Sequence, residues 1–172
     1  MKKAMLFLVA LMFSVGVNAA TLTLTGIGSS GATQSVDVNN NSTVLAGGTV
    51  GEVGNWYSQF DLTSDTATNV KIEWSFNPFT ALTGATVKFG EITGPNGSYL
   101  PGAQTFVITG DFSFTAFLAA NVFYGLDIID AASNILKYDV SVSAVPVPAA
   151  LFLFAPALLG FLGLRRKSAV AA

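Results

Sequence analysis

Cysteine and histidine are both absent from this 172-residue chain, and charged residues make up only 10% of it. Without cysteine the protein has no disulfide, no zinc–thiolate site and no thiol nucleophile. Without histidine it lacks the commonest general base and metal ligand, so a Ser-His-Asp triad is excluded. The charged fraction lies far below the roughly 25% of ordinary globular proteins. These absences exclude several large classes of enzyme before any motif is considered.

Charge is distributed unevenly along the chain. Five of the eight cations lie at the two ends, at positions 2, 3 and 165–167, whereas all ten carboxylates lie between Asp37 and Asp139. Residues 20–144 hold those ten carboxylates, three lysines and no arginine, so the net charge of this segment is −7. Such a segment repels phosphate backbones, and we therefore expect no nucleic-acid partner.

The first nineteen residues have the pattern of a secretory signal peptide. Lys2 and Lys3 form a charged start, an apolar run follows, and Val17-Asn18-Ala19 supplies a cleavage site. We predict removal of residues 1–19 after export. The alternative is an uncleaved anchor, although the apolar run is short for a span that needs about 20 residues.

A second apolar run lies near the C-terminus and predicts a transmembrane helix over residues 149–164. Together with residues 145–148, this run is long enough to cross a hydrocarbon core of about 30 Å. Arg165, Arg166 and Lys167 follow directly, and by the positive-inside rule they stop transfer and stay cytoplasmic. A buried core helix is the alternative, but all-round hydrophobicity followed by a basic cluster is typical of a membrane segment.

The C-terminal segment, residues 145–172, resembles the PEP-CTERM sorting signal. The resemblance is carried by the motif Val145-Pro146-Val147-Pro148-Ala149, by the single apolar helix and by the basic cluster that ends it. Val147 stands where the family usually has glutamate, and variants of the form Val-Pro-x-Pro-Ala belong to the same sorting class.

That resemblance implies recognition by an exosortase, a membrane-embedded cysteine transpeptidase, with cleavage near the two prolines. It implies an intermediate anchored in the inner membrane by one C-terminal span, at least before processing. It then implies transfer to the cell surface or extracellular matrix of a Gram-negative bacterium that forms exopolysaccharide and biofilm.

The segment between the two ends, residues 20–144, predicts an all-β domain. Apolar and polar residues alternate with period two over residues 56–62, 70–76 and 136–143, and an apolar row also occupies every second position from 112 to 118. Weaker strand candidates are residues 21–26, 32–38, 85–92, 105–108 and 122–129. Glycine-, proline- and asparagine-rich turns separate these runs. Eight or nine short strands predict an antiparallel β-sandwich or jelly roll.

Paired carboxylates could serve the hydrolysis of a glycosidic bond. A glycan hydrolase needs two of them about 5–9.5 Å apart. The candidates are Asp61, Asp65, Glu73, Glu91, Asp111, Asp127, Asp130 and Asp139. Polar strand faces explain Asp61, Glu73 and Asp139, and turns explain Asp65, Asp111 and Asp130. We therefore assign no catalytic residue.

Two kinds of binding site remain open. Asp127, Asp130 and Asn134 cluster around one predicted turn and offer the oxygen ligands that calcium prefers, although Asx turns explain the same residues. Trp56, Tyr57 and Tyr99 are candidates for stacking on sugar rings, whereas Trp74 is in register with a core row.

The sequence thus favours an exported, non-catalytic protein of the cell surface or matrix, without a cofactor. A carbohydrate-binding module of the exopolysaccharide matrix is the alternative, and a glycan hydrolase is the third hypothesis.

Overall fold

A computed structural model describes residues 20–29, 34–38, 41–50, 56–81, 84–131 and 136–145 of the chain. Residues Ala20–Val145 form a compact unit. Within the described ranges there are ten strands and one short 3₁₀ turn. The strands are β1 (Leu22–Ser29), β2 (Gln34–Val38), β3 (Thr43–Val50), β4 (Trp56–Ser64), β5 (Thr68–Asn77), β6 (Thr86–Glu91), β7 (Gln104–Val107), β8 (Phe112–Leu118), β9 (Tyr124–Ala131) and β10 (Leu136–Ala144); the 3₁₀ turn is Phe79–Ala81.

The strands form two five-stranded sheets, which confirms the predicted all-β, antiparallel fold. Sheet I has the strand order β1-β4-β9-β6-β7, and sheet II has the order β2-β3-β10-β5-β8. Every pairing between neighbouring strands is antiparallel. The chain passes repeatedly from one sheet to the other, and the apolar inner faces enclose one core, as in a β-sandwich.

Period-two alternation places the side chains of the central strands. In β5, residues Val70, Ile72, Trp74 and Phe76 are buried while the residues between them are exposed. In β10, every second residue from Leu136 to Val142 is buried in the same way. The prediction that Trp74 belongs to the core is confirmed, and its ring stacks on Phe76 with centroids 5.8 Å apart.

Strand β3 is the element that the sequence pattern does not predict. It pairs with β2 on one side and with β10 on the other, so it lies inside sheet II. Gly47 and Gly48 interrupt its sequence, TVLAGGTV, and glycine is unfavourable in strand interiors. The alternation signal is lost because two adjacent positions carry no side chain.

Aromatic rings pack together at the edge of the sandwich where β7 of sheet I and β8 of sheet II lie. The rings of Phe106 and Phe114 stack with centroids 4.5 Å apart, and Phe89 meets Phe114 at 5.5 Å. Asp111, in the turn before β8, accepts a hydrogen bond from the Phe76 N–H at 2.8 Å. This carboxylate satisfies a β5 donor beyond the last β5–β8 pair, Trp74 and Phe112.

Among the described residues no helix has the length and hydropathy of a membrane span. The predicted signal peptide, residues 1–19, and the predicted transmembrane helix, residues 149–164, lie outside the described residues.

Candidate functional site

The outer face of sheet II carries an open groove of about 420 Å³. Its floor is built from two rows of residues that face each other across β3, β10 and β5. One row is Leu45, Ser141 and Glu73, and the next is Gly47, Asp139 and Ser75. Because side chains alternate along strands, all of these residues point away from the core. The groove is lined by hydroxyl groups and carboxylates, by Leu45, which is 41% exposed, and by Ala46, Trp74 and Val140.

Gly47 leaves room for the Asp139 side chain on the β3 side of the groove. A Cβ atom at Gly47 would lie 2.5 Å from the Asp139 Oδ1 atom, so the carboxylate occupies the space that a side chain would fill. The glycine that obscures β3 in the sequence thus lets the Asp139 side chain lie across the neighbouring strand.

Asp37 reaches the groove through a β-bulge in β2. The register of β2 against β3 shifts between Val36 and Val38, which leaves Asp37 as the extra residue. A bulge re-aims the side chain that it contains. Asp37 consequently lines the groove with Glu73 and Asp139, although it lies on an edge strand.

The outer face of sheet I is covered instead. The loop of residues 92–103, here called the cover loop, follows β6 and folds back over the sheet. Its two ends are held together, since the Leu100 N–H donates to the Glu91 carbonyl at 2.8 Å and Ile92 pairs with Tyr99. A glycine-, proline- and asparagine-rich turn, residues 94–98, lies at its tip, with Asn96 at φ 53°. Among the described residues the two sheets therefore differ: sheet II presents an open groove, and sheet I lies under the cover loop.

Two carboxylates are buried beneath the cover loop. Asp61 on β4 and Asp127 on β9 are each only 6% exposed. The Asn96 N–H donates to Asp61 Oδ2 at 2.7 Å, and the Phe60 N–H donates to Asp127 Oδ1 at 3.3 Å. The sequence places Asp61 correctly on the polar side of its strand, but the loop buries that side.

Burial shifts the titration of this cluster. It raises the pKa of Asp127 to about 6 and raises the pKa of Asp61 above its ordinary value, against the opposing bond from Asn96. Burial, followed by the charge of Asp127, also raises the pKa of Tyr99. The cavity beside Asp61 and Asp127 measures about 20 Å³, which is room for roughly one water molecule and none for a sugar ring.

The predicted sugar-stacking residues lie on sheet I and its loop. Tyr99 is half-buried, its hydroxyl donates to the Lys88 carbonyl at 3.2 Å, and the Lys88 Nζ atom lies 4.3 Å from the ring centroid. Trp56 and Tyr57 begin β4, but their side chains are outside the described part of the chain. The structure does not bring Tyr99 to the groove on sheet II.

The predicted calcium ligands are separated or undescribed. Asp127 lies beneath the cover loop, Asp130 is exposed at φ 58°, and Asn134 lies outside the described residues. Within the described ranges, no group of three or more acidic, histidine or cysteine residues is arranged to hold a metal ion. Of the sorting motif, only Val145 is described, while residues 146–149 and the cations at 165–167 are not.

Sequence reasoning found part of the groove without identifying it as a site. The alternating patterns of β5 and β10 place Glu73, Ser75, Asp139 and Ser141 on outward faces. The sequence did not predict strand β3. Without it, the side of the groove formed by β3 and β2 could not be recognised.

No family model matches the sequence, and the search of curated proteins returns no match. Among solved structures, the K1 cleaved adhesin domain of Lys-gingipain from Porphyromonas gingivalis is 12% identical, with a TM-score of 0.44, covering 78% of this chain and 95% of that one. A carbohydrate-binding module of lichenase 5A from Cellvibrio mixtus is 13% identical, with a TM-score of 0.40, covering 70% and 92%.

The enzymatically active domain of tailspike protein 4 from bacteriophage CBA120 is 11% identical, with a TM-score of 0.39 over 76% of this chain. The match spans only 20% of that protein, and a match to a mannanase from Podospora anserina spans 29%. At these identities and TM-scores, the likeness carries no ligand and no activity over to this chain.

Proposed function

We propose that this chain is an exported, non-catalytic protein of the cell surface or extracellular matrix, and that its β-sandwich binds polysaccharide in the groove on sheet II. The observation that carries the proposal is the open groove of about 420 Å³, lined by hydroxyls, carboxylates and apolar residues, on the outer face of sheet II. An open groove suits a polymer, because a long chain enters and leaves along its axis.

The groove offers the chemical groups that sugars require. Carboxylate oxygens of Glu73 and Asp139 accept hydrogen bonds from sugar hydroxyls, and the hydroxyls of Ser75 and Ser141 donate and accept them. Leu45 supplies an apolar contact for the C–H face of a ring. A few polar groups on a partly apolar surface are typical of small-molecule and sugar sites.

The carboxylates with raised pKa values lie on the other sheet. An acid catalyst for glycoside hydrolysis needs a carboxyl whose pKa is raised, as burial does for Asp127. Asp127 and Asp61 adjoin a cavity of about 20 Å³ beneath the cover loop, which has no room for a substrate. This separation of the raised-pKa carboxyls from the groove supports binding rather than hydrolysis.

Delivery to the surface rests on the sequence of the two ends. The signal peptide over residues 1–19 and the PEP-CTERM resemblance of residues 145–172 support export, a membrane-anchored intermediate and processing by an exosortase. Intact-mass analysis of the protein from its native envelope tests this. A mass that begins at Ala20 and ends near the Pro-x-Pro motif is expected, whereas an intact chain of 172 residues would contradict both cleavages.

A groove-filling substitution tests the binding activity. Ser141 lies in the groove on β10, while Thr115 is exposed on the same outer face but outside the groove. We expect the full chain in mild detergent to bind oligosaccharides on a glycan array, Ser141→Trp to lose that binding, and Thr115→Trp to retain it. Binding that survives Ser141→Trp unchanged, or no binding to any glycan, would refute the proposal.

A further inference from the structure

We infer that the polysaccharide recognised in the groove carries free amino groups, so that its ligand is a cationic, amino-sugar polymer. The inference rests on the proposed function, since it names the class of sugar that binds at the same site. Three carboxylates line the groove, those of Asp37, Glu73 and Asp139, and no lysine is among the described residues that line it. An anionic polymer such as a polyuronate would be repelled there, whereas an ammonium group would be attracted.

Two lysines of sheet II adjoin the groove, and neither is among its described lining residues. Lys71 and Lys137 are outward residues of β5 and β10, each two positions before a groove carboxylate, Glu73 and Asp139 respectively. The charge of the surrounding segment, residues 20–144, is −7. The local arrangement and the overall charge therefore both favour approach of a polycation.

The Lys71–Glu73 contact shows that a groove carboxylate takes an ammonium partner. The Lys71 Nζ atom lies 2.6 Å from Glu73 Oε1, and the two side chains are 47% and 48% exposed. Such exposed pairs contribute little to stability, so a ligand amine can replace Lys71 at small cost. An amino sugar in the groove would make the same ammonium–carboxylate contact that the chain already makes.

Glu73 and Asp139 are spaced to share one ligand. Glu73 faces Ser141 and Asp139 faces Ser75, so the two carboxylates are diagonal neighbours on adjacent strands. Diagonal positions of this kind lie about 7–8 Å apart, and the Asp139 carboxylate extends farther from Glu73, over Gly47 on β3. Asp37 extends the line of negative charge toward the sheet edge through its bulge. A polymer with repeated amines therefore meets successive carboxylates along the groove.

Calorimetry on the full chain in mild detergent tests the inference with three hexamers, of glucosamine, N-acetylglucosamine and galacturonate. We expect the glucosamine hexamer to bind at least about tenfold more tightly than the acetylated one, and the galacturonate hexamer not to bind. Raising NaCl from about 50 to about 500 mM should weaken glucosamine binding, because salt screens exposed charges. Equal, salt-insensitive binding of the acetylated and free hexamers would overturn the inference and leave the proposed function standing. Binding of none of the three, together with an empty glycan array, would refute both.

Variants that remove single charges test whether the groove carboxylates are responsible for the affinity for the glucosamine hexamer. Glu73→Gln and Asp139→Asn should each weaken glucosamine-hexamer binding roughly fivefold, which corresponds to one exposed ion pair, and the double variant should lose about the product. Glu91→Gln, on sheet I, removes the same charge from an exposed site and should leave affinity unchanged. If Glu91→Gln weakened binding as much as the groove variants, net charge rather than the groove would be responsible, and the inference would fail.

Discussion

Gly90 and Gly125 face each other across β6 and β9, and the cover loop lies directly on both. A Cβ atom at Gly90 would come within 2.7 Å of the Ala103 Cα, and one at Gly125 within 2.6 Å of the Tyr99 hydroxyl oxygen. This glycine pair lets a loop rest on a sheet surface without intervening side chains. The loop then buries Asp61 and Asp127, so the burial of these two carboxylates depends on two glycines that have no side chain.

Gly90→Ala should therefore destabilise the protein. The added methyl group meets backbone of Ala103, which cannot move aside as a flexible side chain would, and overpacking of this kind costs about 1–3 kcal/mol. Urea denaturation measures the change in the free energy of unfolding. Gly110→Ala is the control, because nothing lies within 4 Å of its Cβ position, and it should change stability by less than about 0.5 kcal/mol. Equal stabilities for the two variants would contradict the close packing of the loop.

The sequence predicts the strands better than it predicts what covers them. Alternation in β5 and β10 reports local geometry, because each residue's face follows from its own neighbours in the chain. The contact of Tyr99 with Gly125 joins distant positions, and no local pattern encodes it. Asp61 thus has the same sequence signature as the groove residue Glu73, yet one is buried and the other exposed. Tyr99 was expected to be an exposed sugar platform on the same local reasoning, and that role stays a prediction.

Asp127 should make the protein less stable as pH rises. Its pKa is raised from 3.8 to about 6, so between these values the folded state holds a proton that the unfolded state releases. The stabilisation is complete below about pH 3.8 and is lost as pH rises through about 6, a change of up to about 3 kcal/mol. Asp127→Asn abolishes this titration. Between pH 3.5 and pH 7, its stability relative to the parent should therefore improve by up to that amount, measured by urea denaturation at each pH.

Asp65 should show the opposite pH dependence. It accepts a hydrogen bond from the Thr21 N–H at 2.8 Å, and this bond lowers its pKa below the ordinary 3.8. The charged form is then favoured in the folded state, so its stabilisation is present above about pH 4 and is lost in acid. Asp65→Asn should cost stability at pH 7, and that cost should shrink as pH falls. A cost that is constant with pH would contradict the assigned role of the carboxylate charge.

Tyr138 and Ser58 should be coupled energetically. Their hydroxyls form a hydrogen bond between the two sheets, and both residues are buried. The Gln34 Nε2 atom donates to the same Ser58 Oγ at 3.1 Å. Tyr138→Phe removes one of the two hydrogen bonds at the Ser58 Oγ atom and should cost about 1 kcal/mol, the net contribution of one buried hydrogen bond. In a double-mutant cycle, Tyr138→Phe with Ser58→Ala should cost less than the sum of the single changes, whereas additive costs would indicate no direct bond.

Phe114 and Phe117 lie on the same strand, β8, but only Phe114 should contribute to the core. The half-buried Phe114 ring packs against Phe106 and Phe89 beside the core, whereas Phe117 points outward and is 60% exposed. Phe114→Ala should lower the free energy of unfolding by about 3 kcal/mol, since it removes a large ring and leaves a cavity at the β7–β8 edge. Phe117→Ala is matched to it in residue type, strand and strand propensity, and should stay within about 0.5 kcal/mol of the parent. Comparable losses in the two variants would mean that strand β8, rather than the aromatic cluster, determines stability at this edge. A loss confined to Phe114→Ala would assign it to the stacked rings.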